Sequence, residues 1–129
     1  MARLSVEGSK SIYFEDLGGE GQALLMIHGW GMDNRCWDGV ILPLQAAGHR
    51  VITMDHRGCG RSDHDFEDLG IAAIAGDVTA LVDHLALSGV VLNGWSLGGA
   101  VATHAASLLG ARCVGLVLTA GASPIYTQK

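Results

Sequence analysis

The sequence predicts an α/β fold in which a mostly parallel sheet has helices on both faces. Four short apolar runs are typical of strands buried on both sides, and segments with helical spacing separate them. The runs are Ala23–Ile27, Val51–Met54, Val90–Leu92 and Val114–Leu118. Strands that are joined through helices lie parallel in one sheet, and the joining helices cover its faces.

The N-terminal segment predicts an antiparallel start to this sheet. Two stretches that suit strands, Arg3–Val6 and Ser11–Leu17, flank the turn residues Gly8-Ser9-Lys10. This pattern is typical of a β-hairpin. No helix separates the two stretches, so we expect them to pair antiparallel.

Three helices are expected to join the strands. Residues from about Cys36 to Ala47 form the first, although Pro43 should start or kink its regular part. Asp68 is placed to cap the second helix. Apolar residues recur on one face of that second helix, at Ile71, Ile74, Val78, Leu81, Val82 and Leu85. The third helix should span Gly98–Leu109.

The composition indicates one globular domain, or part of one, and argues against several partners. A hydrophobic fraction of 49% with only 16% charged residues is typical of a chain with a large core. The net charge of −5 offers no basic surface to nucleic acid. No apolar run approaches the roughly 18 residues that span a membrane. We therefore expect neither nucleic acid nor membrane as a partner.

The N-terminus and the cysteines favour a cytoplasmic protein without metal or cofactor. The first residues lack the long apolar stretch of a signal peptide. Cys36, Cys59 and Cys113 are odd in number and widely spaced, which suits reduced thiols better than a disulfide framework. Four histidines show no spacing typical of metal ligands: His49, His56, His64 and His84. We expect these four side chains to be solvated.

The most informative segment is Gly94-Trp95-Ser96-Leu97-Gly98-Gly99, between a predicted strand and a predicted helix. A Ser on a tight strand-to-helix turn, with a Gly two residues to either side, is the pattern of a nucleophile elbow. The glycines keep side chains out of the crowded crossing between strand and helix. We expect Ser96 to have a positive φ, because the elbow is a strained turn.

Further Gly- or Ser-rich segments follow the other predicted parallel strands. They are His28-Gly29-Trp30-Gly31, Asp55–Ser62 and Ser123-Pro124. Ligands of such sheets bind at the carboxyl ends of the strands. We therefore expect these loops and Ser96 to converge on one rim of the sheet.

Two backbone amides near Ser96 are candidates for an oxyanion hole. The residue after the nucleophile, Leu97, supplies one N–H, and the loop after the first parallel strand supplies the other, here Trp30. Each such donor is worth about 3–4 kcal/mol to an acyl-transfer transition state. Gly29 and Gly31 would let the loop turn sharply and expose the Trp30 amide.

The chain resembles the N-terminal half of an α/β-hydrolase. His28-Gly29-Trp30-Gly31, with Trp37 nearby, and Gly94–Gly99 are most similar to the pimeloyl-carrier-protein methyl ester carboxylesterases. The segment Asp55–Asp63 is closer to the enol-lactonase and non-haem haloperoxidase branch. The resemblance covers nearly the whole chain. It implies that residues 1–129 are the N-terminal part of a single hydrolase domain through its sixth strand, without the cap and the C-terminal core strands.

The resemblance also implies roles for individual residues in a serine esterase that works through an acyl-enzyme. Ser96 is the nucleophile, and the Trp30 and Leu97 amides form the oxyanion hole. The substrate, a small-molecule ester, contacts Trp30, Trp95 and Leu97. Structural roles fall to the remaining motif residues: His28, Gly29, Gly31, Asp55, Arg57, Gly94, Gly98 and Gly99.

The acid and the His of such an enzyme map to no residue of this chain. No Asp or Glu follows Ser96, and the only downstream His is His104, for which a core or surface position is expected. We therefore expect this chain alone to be inactive. We also expect a second polypeptide, the remainder of the same enzyme, to pack beside Val114–Leu118 and to bring a His to the Ser96 Oγ.

Other residues of the motifs suggest structural tasks. His28 should hold the oxyanion loop by hydrogen bonds rather than act as a base. Asp55 and Arg57 should tie their loop together by hydrogen bonds and a local ion pair. Cys59 is either an exposed thiol or a small residue between two glycines, and Trp37 should pack in the core.

Three alternative functions remain open on the same motifs. Within enzymes, a lactonase or a peptidase of the proline-iminopeptidase kind would use the same nucleophile elbow. A non-catalytic ligand-binding protein would keep the pocket and lose the acid or the His. Labelling of Ser96 by a fluorophosphonate probe would separate the enzymes from the binding protein.

Overall fold

The computed structural model describes residues 2–119 and places six strands in one mixed sheet. The sheet has the order β1-β2-β4-β3-β5-β6. The pairs β1–β2 and β2–β4 are antiparallel, and the pairs β4–β3, β3–β5 and β5–β6 are parallel. The strands are β1 (Ala2–Glu7), β2 (Lys10–Asp16), β3 (Ala23–Ile27), β4 (Arg50–Met54), β5 (Val90–Trp95) and β6 (Cys113–Thr119).

Three α-helices lie on the two faces of this sheet. They are α1 (Asp38–Ala46), α2 (Ile71–His84) and α3 (Leu97–Leu109), with short 3₁₀ turns at Asn34–Trp37 and Gly110–Arg112. The helices α2 and α3 pack against each other and the larger core cluster, and α1 packs on the smaller one. The predicted α/β fold with an antiparallel start is therefore confirmed. The segment Ser123-Pro124 lies outside the described residues.

The alternation along β3 explains why both faces are covered. Ala23, Leu25 and Ile27 belong to the larger cluster, whereas Leu24 and Met26 belong to the smaller one with Trp37. Successive side chains of a strand point to opposite faces of its sheet. Because all five residues are buried, β3 is a central strand with a core on each side. The expected core position of Trp37 is confirmed.

The apolar face predicted for the second helix is confirmed, but its predicted cap is wrong. Ile74, Val78, Leu81 and Val82 are fully buried. The helix begins at Ile71, with Gly70 at the N-cap position and no side-chain cap. Asp68 Oδ1 instead accepts the Gly70 N–H at 2.8 Å. An Asp side chain readily bonds the backbone two residues onward, so it forms a turn before the helix.

Pro43 does not start the first helix, which contradicts that part of the prediction. It lies inside α1, whose regular part begins at Asp38. A proline at this position removes the bond from residue 43 to the carbonyl of Gly39. The helix tolerates Pro43 because Gly39 is exposed, so that the Gly39 carbonyl can accept a hydrogen bond from solvent.

A buried ion pair joins the loop after β4 to α2. Arg57 Nε and Nη2 each donate to the Asp77 carboxylate at 2.7 Å, and both side chains are buried. Hydrogen bonding to Asp77 raises the pKa of Arg57. The predicted local ion pair is therefore wrong, because Arg57 reaches a carboxylate in α2 that became a neighbour only on folding.

On the other flank, β6 carries apolar side chains that remain accessible. Val114, Val117 and Leu118 are each about half exposed. Among residues 2–119, this strand pairs only with β5. None of the helices described is long and apolar enough to cross a bilayer.

Replacing Asp77 by Ala should destabilise the fold by about 3 kcal/mol, because it removes the bidentate partner of the buried Arg57 guanidinium and, among residues 2–119, leaves only Glu7, 3.6 Å away, and the Asp68 carbonyl. The matched control is Asp83→Ala on the same helix, since Asp83 pairs with Arg112 at the exposed surface. That variant should lose no more than about 1 kcal/mol. Urea denaturation of both variants measures the two free energies of unfolding. Equal losses would contradict the importance given to the buried pair.

Candidate active site

Ser96 lies on a strained turn between β5 and α3. Its dihedrals are φ 55° and ψ −121°, so the predicted positive φ is confirmed. Among residues 2–119, the only other non-glycine residue with a positive φ is Ala86. Such a conformation costs on the order of 1–3 kcal/mol and persists only where the surroundings enforce it. The turn leaves Ser96 exposed at the carboxyl end of the sheet.

The two glycines around Ser96 are required by close approach of backbone to backbone. A Cβ added to Gly94 would overlap the carbonyl oxygen of Gly98. A Cβ added to Gly98 would overlap the carbonyl oxygen of Ile27 and would lie 2.5 Å from that of His28. The start of α3 therefore rests directly on the end of β3, and this contact fixes where Ser96 stands.

The loop after β3 approaches Ser96 through Gly29. A Cβ on Gly29 would lie 3.3 Å from the Ser96 Cβ and 3.3 Å from the Trp95 ring. Gly31 carries the turn, with φ 75°. The two glycines therefore do different tasks, which corrects the expectation that both serve the turn: Gly29 allows close approach and Gly31 allows the left-handed backbone.

Both candidate oxyanion donors border Ser96. The Trp30 N–H belongs to the peptide that begins at Gly29, and within residues 2–119 it donates no hydrogen bond. Leu97 is the first residue of α3, where an N–H has no acceptor inside the helix. The positive end of the helix dipole lies at the same point. The arrangement can stabilise negative charge beside the Ser96 hydroxyl.

The side chains expected to contact substrate lie in different surroundings. Trp30 is 56% exposed at the rim, and Leu97 is half-buried. Trp95 packs against the smaller core cluster, with its ring beneath Gly29. Trp30 therefore presents its ring to solvent, whereas the Trp95 ring packs against Gly29 and supports the loop.

His28 and His56 form a fully buried pair, so the solvated position predicted for His56 is wrong. The His56 backbone N–H donates to His28 Nε2 at 3.0 Å, and His56 Nε2 donates to the His28 carbonyl at 2.7 Å. The two ring centroids are 3.9 Å apart. His28 Nδ1 also bonds the Gly29 carbonyl at 2.6 Å. The only sequence signal for this burial is the position of His56, two residues after the buried strand β4.

Burial keeps both rings neutral near pH 7. Loss of solvation lowers the pKa of His28. The same cause, reinforced by the nearby His28, lowers the pKa of His56 to about 3. A neutral imidazole can donate through one nitrogen and accept through the other, and the two hydrogen bonds of the His28 ring require this state.

Asp55 ties the loops after β3 and β4 together. Its carboxylate accepts the Asn34 N–H at 2.7 Å and the Arg61 N–H at 2.9 Å. Cys59 in the same loop is buried, so an exposed thiol there is excluded, and burial raises its pKa. The sequence did not indicate Asn34 or Asp77 as partners, because both contacts join segments that are distant along the chain.

The described residues supply no base for Ser96. Within residues 2–119 its Oγ makes no hydrogen bond, while His28 and His56 bond each other. His104 lies two turns along α3 and is half-buried, His49 is half-buried, and His64 and His84 are exposed. The same part of the chain contains no group of three or more His, Cys, Asp or Glu residues that could hold a metal ion.

Comparisons with known proteins point to one family. The family model for the alpha/beta hydrolase fold matches residues 22–128. The pimeloyl-[acyl-carrier protein] methyl ester esterase of Photobacterium profundum is 42% identical over 111 residues, which cover 86% of this chain and 41% of that protein. The non-heme chloroperoxidase of Streptomyces lividans is 33% identical over 131 residues, which cover 100% of this chain and 48% of that protein.

A solved structure agrees with the sequence comparisons. The esterase from Exiguobacterium antarcticum matches 95% of this chain and 46% of its own, with a TM-score of 0.85 and 31% identity. Both branches that the motifs resemble are represented among the relatives. The chain spans about half the length of the curated relatives that it matches.

Replacing Gly98 by Ala should destabilise the protein by about 1–3 kcal/mol, because the new methyl group meets backbone that cannot move aside. The matched control is Gly76→Ala within α2, where a Cβ would meet nothing within 4 Å. That variant should gain about 0.5–1 kcal/mol from helix propensity. Urea denaturation measures both effects, and a stabilised Gly98→Ala variant would contradict the contact.

The His56 pKa predicts loss of stability in mild acid. The unfolded ring binds a proton below pH 6.5, whereas the folded ring stays neutral down to about pH 3. Because the unfolded state then binds more protons, stability present above pH 6.5 falls as the pH drops through this window. Between pH 7.5 and pH 5, the natural protein should lose about 2 kcal/mol more than His56→Gln. Chemical denaturation at each pH measures the free energy of unfolding. If this free energy fell equally with pH in both proteins, a lowered pKa of His56 would be contradicted.

Proposed function

Because this chain belongs to the alpha/beta hydrolase fold family, we propose that it forms the N-terminal part of a serine hydrolase that cleaves carboxylic esters. The observation that carries the proposal is the Ser96 turn. A Ser held at φ 55°, exposed at the N-terminus of α3 and bordered by two backbone amides, has the arrangement that acyl transfer requires.

In the proposed reaction, Ser96 Oγ attacks the carbonyl carbon of the ester while a general base takes the hydroxyl proton. The new C–O bond places negative charge on the carbonyl oxygen, which accepts hydrogen bonds from the Trp30 and Leu97 amides. Collapse of this intermediate breaks the bond to the alcohol, which leaves with the proton from the base. Water then cleaves the acyl-enzyme by the same steps and restores the Ser96 hydroxyl.

We place the general base and the acid that orients it in a part of the protein outside residues 1–129. The histidines described here either bond each other or make no bond to Ser96 Oγ. The relatives are about twice as long as this chain. The half-exposed apolar side chains of β6 offer a surface on which further elements of the same domain could pack.

The relatives support an ester as the substrate class. The Photobacterium profundum protein is named for a methyl ester of a carrier-protein-bound acyl group, and the Exiguobacterium antarcticum protein is named an esterase. In this chain Leu97 follows Ser96 directly, and Trp30 follows Gly29, which packs against Ser96, and exposes apolar surface. An acyl group can pack on these side chains while its carbonyl oxygen meets their backbone amides.

The Ser96→Ala variant of the complete protein should lose ester hydrolysis by a factor on the order of 10⁶ in kcat. The measurement is turnover of p-nitrophenyl esters, together with labelling by a fluorophosphonate probe. Ser107→Ala is the matched control, because Ser107 is an exposed serine on the same helix that bonds only the His104 carbonyl.

The control should keep natural turnover and natural labelling, and the natural protein should be labelled at Ser96. Natural turnover by Ser96→Ala would refute the serine mechanism. A protein that binds esters without labelling or turnover would instead be the non-catalytic receptor.

A further inference from the structure

We infer that the His28–His56 pair positions the Trp30 amide of the oxyanion hole. In this assignment His28 sets the direction of the Gly29–Trp30 peptide, and His56 holds His28 in the state that can do so. Both are positioning residues, since they act through the peptide and do not touch the substrate. The inference rests on the proposed function, because it assigns a task within the same acyl-transfer site.

The hydrogen bonds of the His28 ring define its protonation state. The backbone N–H of His56 donates to His28 Nε2 at 3.0 Å, so that nitrogen must be free of a proton. A neutral imidazole then carries its proton on Nδ1. This proton is donated to the Gly29 carbonyl oxygen, 2.6 Å away. The hydrogen bonds therefore define one tautomer for His28.

The hydrogen bond from His28 acts on the oxyanion hole through the Gly29–Trp30 peptide. The Gly29 carbonyl and the Trp30 N–H belong to one planar trans peptide and point in opposite directions. Fixing the carbonyl oxygen therefore fixes the direction of the N–H. The Met32 N–H also donates to this oxygen, but over a longer distance of 3.3 Å. The bond from His28 is thus the stronger hold on this peptide.

The His56 side chain holds the main chain of His28. Its Nε2 donates to the His28 carbonyl at 2.7 Å while its backbone N–H holds the His28 ring. His56 therefore forms hydrogen bonds with both the main chain and the side chain of His28. Both rings are fully buried, so a lost bond leaves an unsatisfied polar group in the interior.

The inference predicts a defect in transition-state stabilisation rather than in substrate binding. A misaimed Trp30 N–H affects the developing oxyanion more than the bound ester. A loss confined to the transition state lowers kcat and leaves KM nearly unchanged. A variant that merely loosened the fold would lower the fraction of active protein, so that turnover of every ester would fall by the same factor.

The test compares His56→Leu and His56→Gln in the complete protein, with His64→Leu as control. Glutamine keeps an N–H donor near the position of Nε2, whereas leucine removes it. His64 is an exposed histidine that follows the same loop. Each variant is assayed with p-nitrophenyl acetate and with its thionoester analogue, whose sulfur is a poor hydrogen-bond acceptor and depends less on the oxyanion hole.

For His56→Leu we expect kcat on the oxygen ester to fall roughly 10- to 100-fold, with KM within about threefold of the natural value. Turnover of the thionoester should change by less than about threefold, since its sulfur gains little from a hydrogen bond with the Trp30 N–H. His56→Gln should recover most of the loss, and His64→Leu should match the natural protein. Equal losses on both esters, or no loss on either, would overturn the inference.

A second measurement tests the pair without relying on activity. Nitrogen-15 NMR of the imidazoles in the natural protein should show His28 protonated on Nδ1 and His56 on Nε2 at pH 7. A His28 protonated on Nε2 would overturn the inference, even if His56→Leu failed to fold. A protein that shows the expected tautomers but neither hydrolyses esters nor labels at Ser96 would refute the proposed function, and with it the catalytic task of the pair.

Discussion

The contact between the start of α3 and the end of β3 is the constraint on which the candidate site depends. Gly98 lies so close to the Ile27 and His28 carbonyls that no side chain fits between them. This contact brings the N-terminus of α3 to the carboxyl end of the central strand. The chain can then connect β5 to α3 only through a tight turn, and Ser96 takes the strained conformation that this turn requires.

Buried polar contacts extend this constraint to the surrounding loops. The His28–His56 pair and the Asp55 carboxylate both join the loop after β3 to the loop after β4. The Arg57–Asp77 ion pair then ties the second loop to α2. Polar groups in the interior are costly unless they are bonded, so each of these contacts favours one arrangement of its loop. The rim around Ser96 is thereby held by buried side chains behind it.

The same arrangement accounts for how a Gly-rich rim can be ordered. Glycine gains close approach and unusual dihedrals at an entropic cost. Here Gly29 and Gly31 have different tasks, and the hydrogen bond from His28 restrains the peptide that follows Gly29. If the proposed site is correct, this restraint is the kind of preorganisation that electrostatic catalysis needs from backbone amides.

The sequence by itself determined the strands, the faces of the helices and the position of the Ser96 turn. Apolar runs such as Ala23–Ile27, the spacing of Ile74 and Val78, and the glycines around Ser96 are local patterns, and hydrophobic burial and steric exclusion act on them directly. Tertiary structure decided the burial of His56, the pairing of Arg57 with Asp77 and the turn made by Asp68. The first two depend on which segments meet after folding, and the third on which of several backbone partners the carboxylate can reach. Polar side chains have several possible partners of similar energy, so their choice follows from the folded geometry rather than from the order of residues.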